Sequence, residues 1–292
     1  MITVITTAYN RADTLPRLYE SLRAQHHRDF EWIVVDDGST DGTWPLLRAM
    51  EAEGALRMEA RYRPNGGKHR ALNEAVSRAA GELCVIVDSD DYLDPRALDR
   101  ILFWWEPLRG DEAFAGVAGL KAHFDGRVVG TPFESLPPSP LDADPLSYRV
   151  RHKVRGDRAE VFRTDLLRSH PFPEYPGERF CPEALVWNRI GRRYKLRYFN
   201  ETVYYCEYLP DGLSARITRL RRESPLASCA CYSELYASPL PWAQKAKAAI
   251  NYWRFAFCRR DPFLEWLDGI SLTALPWLPL GLMFYLKDKR DT

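Results

Sequence analysis

The chain has 292 residues, 46% hydrophobic and 28% charged, which is ordinary globular usage and excludes a disordered or fibrous protein. Lys and Arg number 41 against 40 Asp and Glu, a formal charge of +1. Without a net basic field, phosphate neutralisation has little to work with, so no nucleic-acid partner is expected. The six cysteines form no C-x-x-C pair and no finger spacing; they read as reduced packing residues of a reducing compartment. The opening MITVIT lacks a basic region ahead of a cleavable apolar core, so it reads as a strand rather than a secretion signal.

Residues 2–7 are apolar and β-branched, and Leu15, Leu18 and Leu22 then recur at helical spacing. A second strand over 31–35 ends in the turn cluster Asp36-Asp37-Gly38-Ser39-Thr40-Asp41-Gly42. Leu46, Leu47 and Met50 suit a helix and 57–61 a third strand. Asn65-Gly66-Gly67 turns into a helix carrying Leu72, Ala75, Val76 and Ala79. The apolar run 83–87, of the kind buried on both faces of a parallel sheet, stops at Asp88-Ser89-Asp90-Asp91. This alternation predicts a Rossmann-like doubly wound sheet with helices on both faces, whose ligands bind beyond the carboxyl ends of the strands.

The turns at that edge hold six carboxylates if Asp41 is counted. A lone Asp there is commonly a helix cap, which suffices for Asp41 or Asp94. Three in four residues repel one another unless a cation sits among them. A hard divalent ion shared with a phosphate, Mn²⁺ or Mg²⁺, answers that charge. Neither G-x-x-x-x-G-K-[ST] nor G-x-G-x-x-G occurs, which removes most support for P-loop kinases and nicotinamide dehydrogenases.

Thr7-x-Tyr9-Asn10, then Val34-Val35-Asp36-Asp37-Gly38-Ser39-Thr40-Asp41, Asn73, and Asp88-Ser89-Asp90-Asp91 resemble, in order and strand context, the inverting family 2 glycosyltransferases of GT-A fold. The likeness covers roughly the first hundred residues. It implies a nucleotide-sugar donor, with uridine as the default base. It also implies Thr7 and Tyr9 lining the base, Asp37 and Asp36 bonding it, and Lys68 and Asn73 beside the base or diphosphate. Asp88-Ser89-Asp90 would be the D-x-D element, with Asp90 and Asp91 sharing ribose and metal. Asp157, in Gly156-Asp157-x-x-Glu160, resembles the donor-sugar wall; a helix cap is the plainer alternative.

Between 126 and 145 five prolines and little periodicity predict a loop. Pro182 fits a first helical turn with Glu183 at the helix start. An inverting transferase needs a carboxylate to take the acceptor proton, and the resemblance puts that base here, often in a Glu-Asp pair. This chain reads Glu183-Ala184, which leaves Glu183 as the candidate, against the alternative of a helix-dipole partner. Residues 205–214 resemble a mobile loop near the donor.

From residue 240 onward eight Lys or Arg face five Asp or Glu, and four of the nine Trp gather. Residues 270–286 carry no charge, but Pro276 and Pro279 interrupt the run. It reads as an interfacial membrane anchor whose loss leaves stability nearly unchanged; the alternative is an apolar core segment packing on the sheet. The expected organisation is a GT-A catalytic domain over 1–215, with a nucleotide-binding half (1–100) and an acceptor half (101–215), and a helical extension over 216–292. The expected protein transfers a sugar to a saccharide or lipid-linked acceptor in bacterial cell-surface polysaccharide synthesis. It would sit on the cytoplasmic face of the membrane, with room for an oligomer. A sugar-phosphate nucleotidyltransferase and an inactive nucleotide-sugar binder are the alternatives.

Overall fold

The computed structural model describes residues 1–207 and 216–290. Of the expected donor loop, residues 208–214 lie outside the described residues. The chain divides into two compact units: Met1–Pro171 with Arg189–Tyr208, and Phe172–Asn188 with Leu209–Thr292.

In the first unit β1 (Ile2–Ala8), β2 (Phe30–Asp36), β3 (Met58–Tyr62) and β4 (Leu83–Ile86) pair in parallel in the order β3-β2-β1-β4. Every residue of β1 and β2 is buried, which is why both read as continuous apolar runs. Helices α1 (Leu15–Arg23), α2 (Thr43–Glu53) and α3 (Lys68–Arg78) cross between them, α1 burying Leu15, Leu18 and Leu22 as their spacing predicts.

Beyond β4 the sheet becomes mixed. β5 (Tyr92–Leu93), α4 (Ala97–Trp105), β6 (Phe114–Ala122), β7 (Leu141–Ala143), α5 (Pro145–Val150), β8 (Arg158–Arg163), α6 (Thr164–Ser169), α7 (Glu183–Gly191) and β9 (Lys195–Tyr205) follow in the chain. The described strands form one sheet ordered β3-β2-β1-β4-β8-β6-β9-β5, with β7 on β9. The α/β sheet with its crossover helices is therefore as expected, and beyond β4 it is mixed. The loop expected over 126–145 is corrected in part: it holds a 3-10 turn at Phe133–Ser135 and the strand β7, which is too short to show a period.

In the second unit α8 (Ile217–Glu223), α9 (Pro225–Ala237), α10 (Trp242–Ala256), α11 (Phe263–Asp268) and α12 (Leu278–Arg290) enclose a core of their own. Tyr252, Trp253, Phe255, Ile270 and Ala274 are buried there, with Trp266, Leu267, Trp277 and Leu278 packed against them. Trp253 Nε1 donates to the Ala274 carbonyl at 2.8 Å. Asp288 receives Arg254 on both carboxylate oxygens at 2.6 Å, pinning the end of α12 to α10. One side of 270–286 is thus core, and only the other, with Leu272, Leu280, Met283 and Leu286, is exposed. The expectation that losing this tail leaves stability unchanged is overturned, because Trp253 would lose its cover.

Asp288→Ala strands the Arg254 guanidinium and should cost about 3 kcal/mol in urea unfolding of the second unit. Ending the chain after Pro262 should cost more. An unfolding midpoint equal to that of the intact chain in both variants would refute this account.

Candidate active site

The carboxyl ends of β1, β2 and β4 lie side by side, so their turns meet at one edge of the sheet. The first two turns are tied to each other. Asp37 N donates to the Ala8 carbonyl at 2.8 Å, Asn10 N donates to Ser39 Oγ at 2.9 Å, and Thr40 N donates to Asn10 Oδ1 at 2.8 Å. Asn10 adopts φ +52°, a left-handed conformation that Asn tolerates better than most residues. Gly38 has φ +81°, and a Cβ there would stand 2.5 Å from Asn65 N, so only glycine fits.

Asp37 is buried and accepts from Gly66 N at 3.0 Å and Gly67 N at 2.7 Å, with Arg63 Nε at 3.3 Å. Burial pushes its carboxyl above the usual range, although these amides and Arg63 pull the other way. Asp36 is fully buried: Oδ1 accepts from Ser39 N at 2.8 Å, while Oδ2 has no protein partner among the described residues. A buried, unused acceptor calls for a donor. Thr7 is buried at the end of β1 and the Tyr9 ring is exposed.

The third turn is a charge network. Lys68 Nζ donates to Asp88 Oδ1 at 2.6 Å. Burial alone would raise Asp88, but Lys68 and Lys121 outweigh it and hold the carboxyl below the usual range. Tyr204 OH accepts from Asp88 N at 2.9 Å and donates to Asp91 Oδ2 at 2.7 Å. Burial, then the charge of Asp88, pushes Asp91 up to about 7. Lys121 lies over the Tyr204 ring, Nζ 3.9 Å from its centroid. Burial opposes its charge, yet Asp88, Asp91 and Glu160 prevail and raise its pKa. Asp90 differs: its side chain is 22% exposed, with Arg11 Nε 3.8 Å from Oδ2 and Arg17 donating to its main-chain oxygen.

Because β8 runs antiparallel to β4, its amino end reaches this same edge. Arg149 Nη2 stands 4.0 Å from Asp157 and 3.8 Å from Glu160. Burial pushes Glu160 up to about 7, against the pull of Arg149 and Lys121. The structure therefore gathers Thr7, Tyr9, Asp36, Asp37, Lys68, Asp88, Asp90 and Asp91 at one edge of the first unit. Asn73 is half-buried on α3, and Asp157 is exposed just before β8. Glu183 is the first residue of α7, half-buried, and belongs to the second unit.

Sequence reading missed Arg11, Lys121 and Tyr204. A lone lysine in the otherwise apolar run FAGVAGLKA was the available signal for Lys121; Tyr204 gave none.

Among the described residues no three His, Cys, Asp or Glu side chains converge as a metal cage. Mg²⁺ and Mn²⁺ need none: one or two carboxylates plus substrate phosphates are their usual holders. Asp90 fits that demand with an accessible hard oxygen, whereas Asp91 is buried and committed to Tyr204.

Residues 3–127 match the family described as glycosyl transferase family 2. The succinoglycan biosynthesis protein ExoO of Rhizobium meliloti is 38% identical over 117 residues, 40% of this chain and 32% of that protein. Among solved structures, Staphylococcus aureus TarS residues 1–349 in complex with UDP aligns with TM-score 0.63 at 20% identity, over 98% of this chain and 87% of that one. A mannosyltransferase of Pyrobaculum calidifontis in complex with GDP-mannose and Mn²⁺ aligns with TM-score 0.57 at 20% identity, over 98% and 80%. These likenesses give the GT-A fold. The chain spans at most 36% of the first curated relatives it matches.

Glu160 titrates near 7 when folded against 4.5 in its reference state, so the folded protein binds the extra proton between those values. Its favourable contribution is complete below about 4.5 and is lost as pH rises through about 7. Glu160→Gln should therefore leave stability near pH 4 unchanged and raise it by about 3 kcal/mol near pH 8, since each pKa unit is worth about 1.4 kcal/mol. Thermal melts across pH check this; parallel curves for variant and wild type would refute it.

Proposed function

We propose, from the premise that the chain carries a family 2 glycosyltransferase domain on a GT-A fold, that it is a metal-dependent inverting glycosyltransferase. The donor is a nucleotide-diphosphate sugar, by preference a UDP-sugar. The acceptor is a hydroxyl of a saccharide or lipid-linked saccharide in cell-surface polysaccharide synthesis. The observation that carries this reading is the third turn, where Asp90 is partly exposed and stands outside the bonds by which Lys68 holds Asp88 and Tyr204 holds Asp91.

The base stacks on Tyr9, with Thr7 at its edge, and donates to the unused Oδ2 of Asp36 and to the Asp37 carboxylate. Lys68 and Asn73 stand beside the base and diphosphate, and Asp88 and Asp90 face the ribose. Asp157 and Glu160 wall the sugar. Mn²⁺ or Mg²⁺, held by Asp90, supplies Lewis acidity to the diphosphate; Asp91 orders the turn that presents Asp90. Glu183 takes the proton of the acceptor hydroxyl as its oxygen attacks the anomeric carbon from the face opposite the diphosphate. The anomeric C–O bond to the diphosphate breaks as the new glycosidic bond forms, with inversion, and the nucleoside diphosphate leaves with that electron pair.

A sugar-phosphate nucleotidyltransferase wants a glycine-rich phosphate loop after β1, and Ala8-Tyr9-Asn10-Arg11 is instead pinned to the neighbouring turn. An inactive binder would lack donor hydrolysis.

Asp90→Ala should abolish metal-dependent donor binding. Glu183→Gln should keep donor affinity and lose about 10²–10⁴-fold in transfer, the range general bases supply. Chelator-insensitive donor affinity in wild type would overturn the metal reading. Near-normal turnover of Glu183→Gln would pass the base role to Glu160 or Asp157.

No helix among the described residues is long and apolar enough to cross a membrane. The exposed Leu280, Met283 and Leu286 on α12, followed by Lys287, Lys289 and Arg290, support a face lying on an anionic cytoplasmic membrane surface. Full-length protein should float with vesicles containing phosphatidylglycerol. Serine at positions 280, 283 and 286 together should prevent flotation without lowering the melting temperature. Wild-type protein that stays with the soluble fraction, or self-associates through this face instead, would refute the membrane contact.

A further inference from the structure

Helix α9 begins Ser224-Pro225-Leu226-Ala227, and its early backbone amides need acceptors. Ser224 holds the capping position, where a serine hydroxyl would ordinarily accept from its own helix. It does not do so here. The Glu178 carboxylate, 5% exposed, takes both amides instead: Leu226 N donates to Oε1 at 2.6 Å and Ala227 N donates to Oε2 at 2.9 Å. Ser224 Oγ is buried and turned away from its own helix, where it accepts from Phe180 N at 3.1 Å.

The segment of Glu178 and Phe180 thus caps α9, and the cap residue of α9 in turn holds that segment. The exchange lies entirely within the second unit. Immediately after it come Cys181 and Pro182, both buried, and then Glu183 opening α7. Leu185 N donates to the Pro182 carbonyl at 3.0 Å, so the first turn of α7 is continuous with the clamped segment. Helix α9 is itself packed on α10 through the core around Tyr252 and Phe255.

We propose that Glu178 is a positioning residue for Glu183, and that this exchange with Ser224 fixes where the carboxylate that opens α7 stands. The inference rests on the reading of Glu183 as the base. A buried carboxylate that accepts from two amides at the start of another helix is held tightly in place, and here it fixes the segment that enters α7. The carboxyl-terminal helices then serve the chemistry as its footing.

The test is a double-mutant cycle with full-length protein. The readouts are transfer kcat, acceptor KM, and nucleoside diphosphate affinity by titration. Glu178→Gln puts an amide NH₂ against one of the two backbone donors. It should lower kcat by up to about 10²-fold, as a misplacement of about 1 Å can, with nucleotide affinity unchanged. In the Glu183→Gln background the same change should cost almost nothing, because residues acting as one unit are not additive. Ser224→Ala should repeat the loss more mildly, and Ser224→Thr should restore it; this pair carries the test if Glu178→Gln fails to fold. Equal losses in both backgrounds, or no loss in either, would overturn the positioning role while leaving Glu183 as base. Full turnover of Glu183→Gln alone would overturn the reading beneath it.

Discussion

Acidic side chains crowded at one strand end are tolerable only if their charges are answered, and the first unit is organised around that answer. Lys68 meets Asp88 from the start of α3, while Lys121 reaches Asp88 and Asp91 from β6. Tyr204, from β9, bonds both the amide of Asp88 and the carboxylate of Asp91. Strands distant in sequence therefore converge on one turn, and the sheet order that puts β8, β6 and β9 beyond β4 is what brings them there. Desolvation sets the division of labour. The deeper carboxylate, Asp91, is pushed toward neutrality, while Asp88 and Asp90 each keep part of their surface open to water.

The second unit has a separate logic. Its core is aromatic and is closed by chain that reads, on composition alone, as something other than core. The uncharged run after Ile270 is amphiphilic in a way that hydropathy cannot register: Ala274 and Gly281 face inward because small residues let the backbone approach Trp253, while Leu272, Leu280 and Leu286 face out. An apolar outer face next to a basic terminus is a different kind of surface from the polar edge of the sheet.

The parallel half of the fold was legible because β1 and β2 are buried throughout and α1 shows its leucines at helical spacing. β7 was not, since three residues cannot display a period. The acidic turns were legible for a reason of charge: three aspartates in four residues defy a capping explanation. Their partners were not, because Lys121 and Tyr204 are brought to the turn only by sheet order. The capping exchange of Glu178 was likewise hidden. It joins residues that neither periodicity nor motif relates, and a glutamate before a helix looks the same whether it caps that helix or another.

The mutual bonding of the first two turns has one more consequence. Asn10, Ser39 and Thr40 hold each other before any ligand arrives, and Asp37 already clasps the amides of Gly66 and Gly67. A ligand entering between them orders no chain, so the conformational entropy that a floppy loop would surrender was spent when the domain folded. Whatever enters between these turns meets backbone that does not retreat, because each turn is bolted to its neighbour.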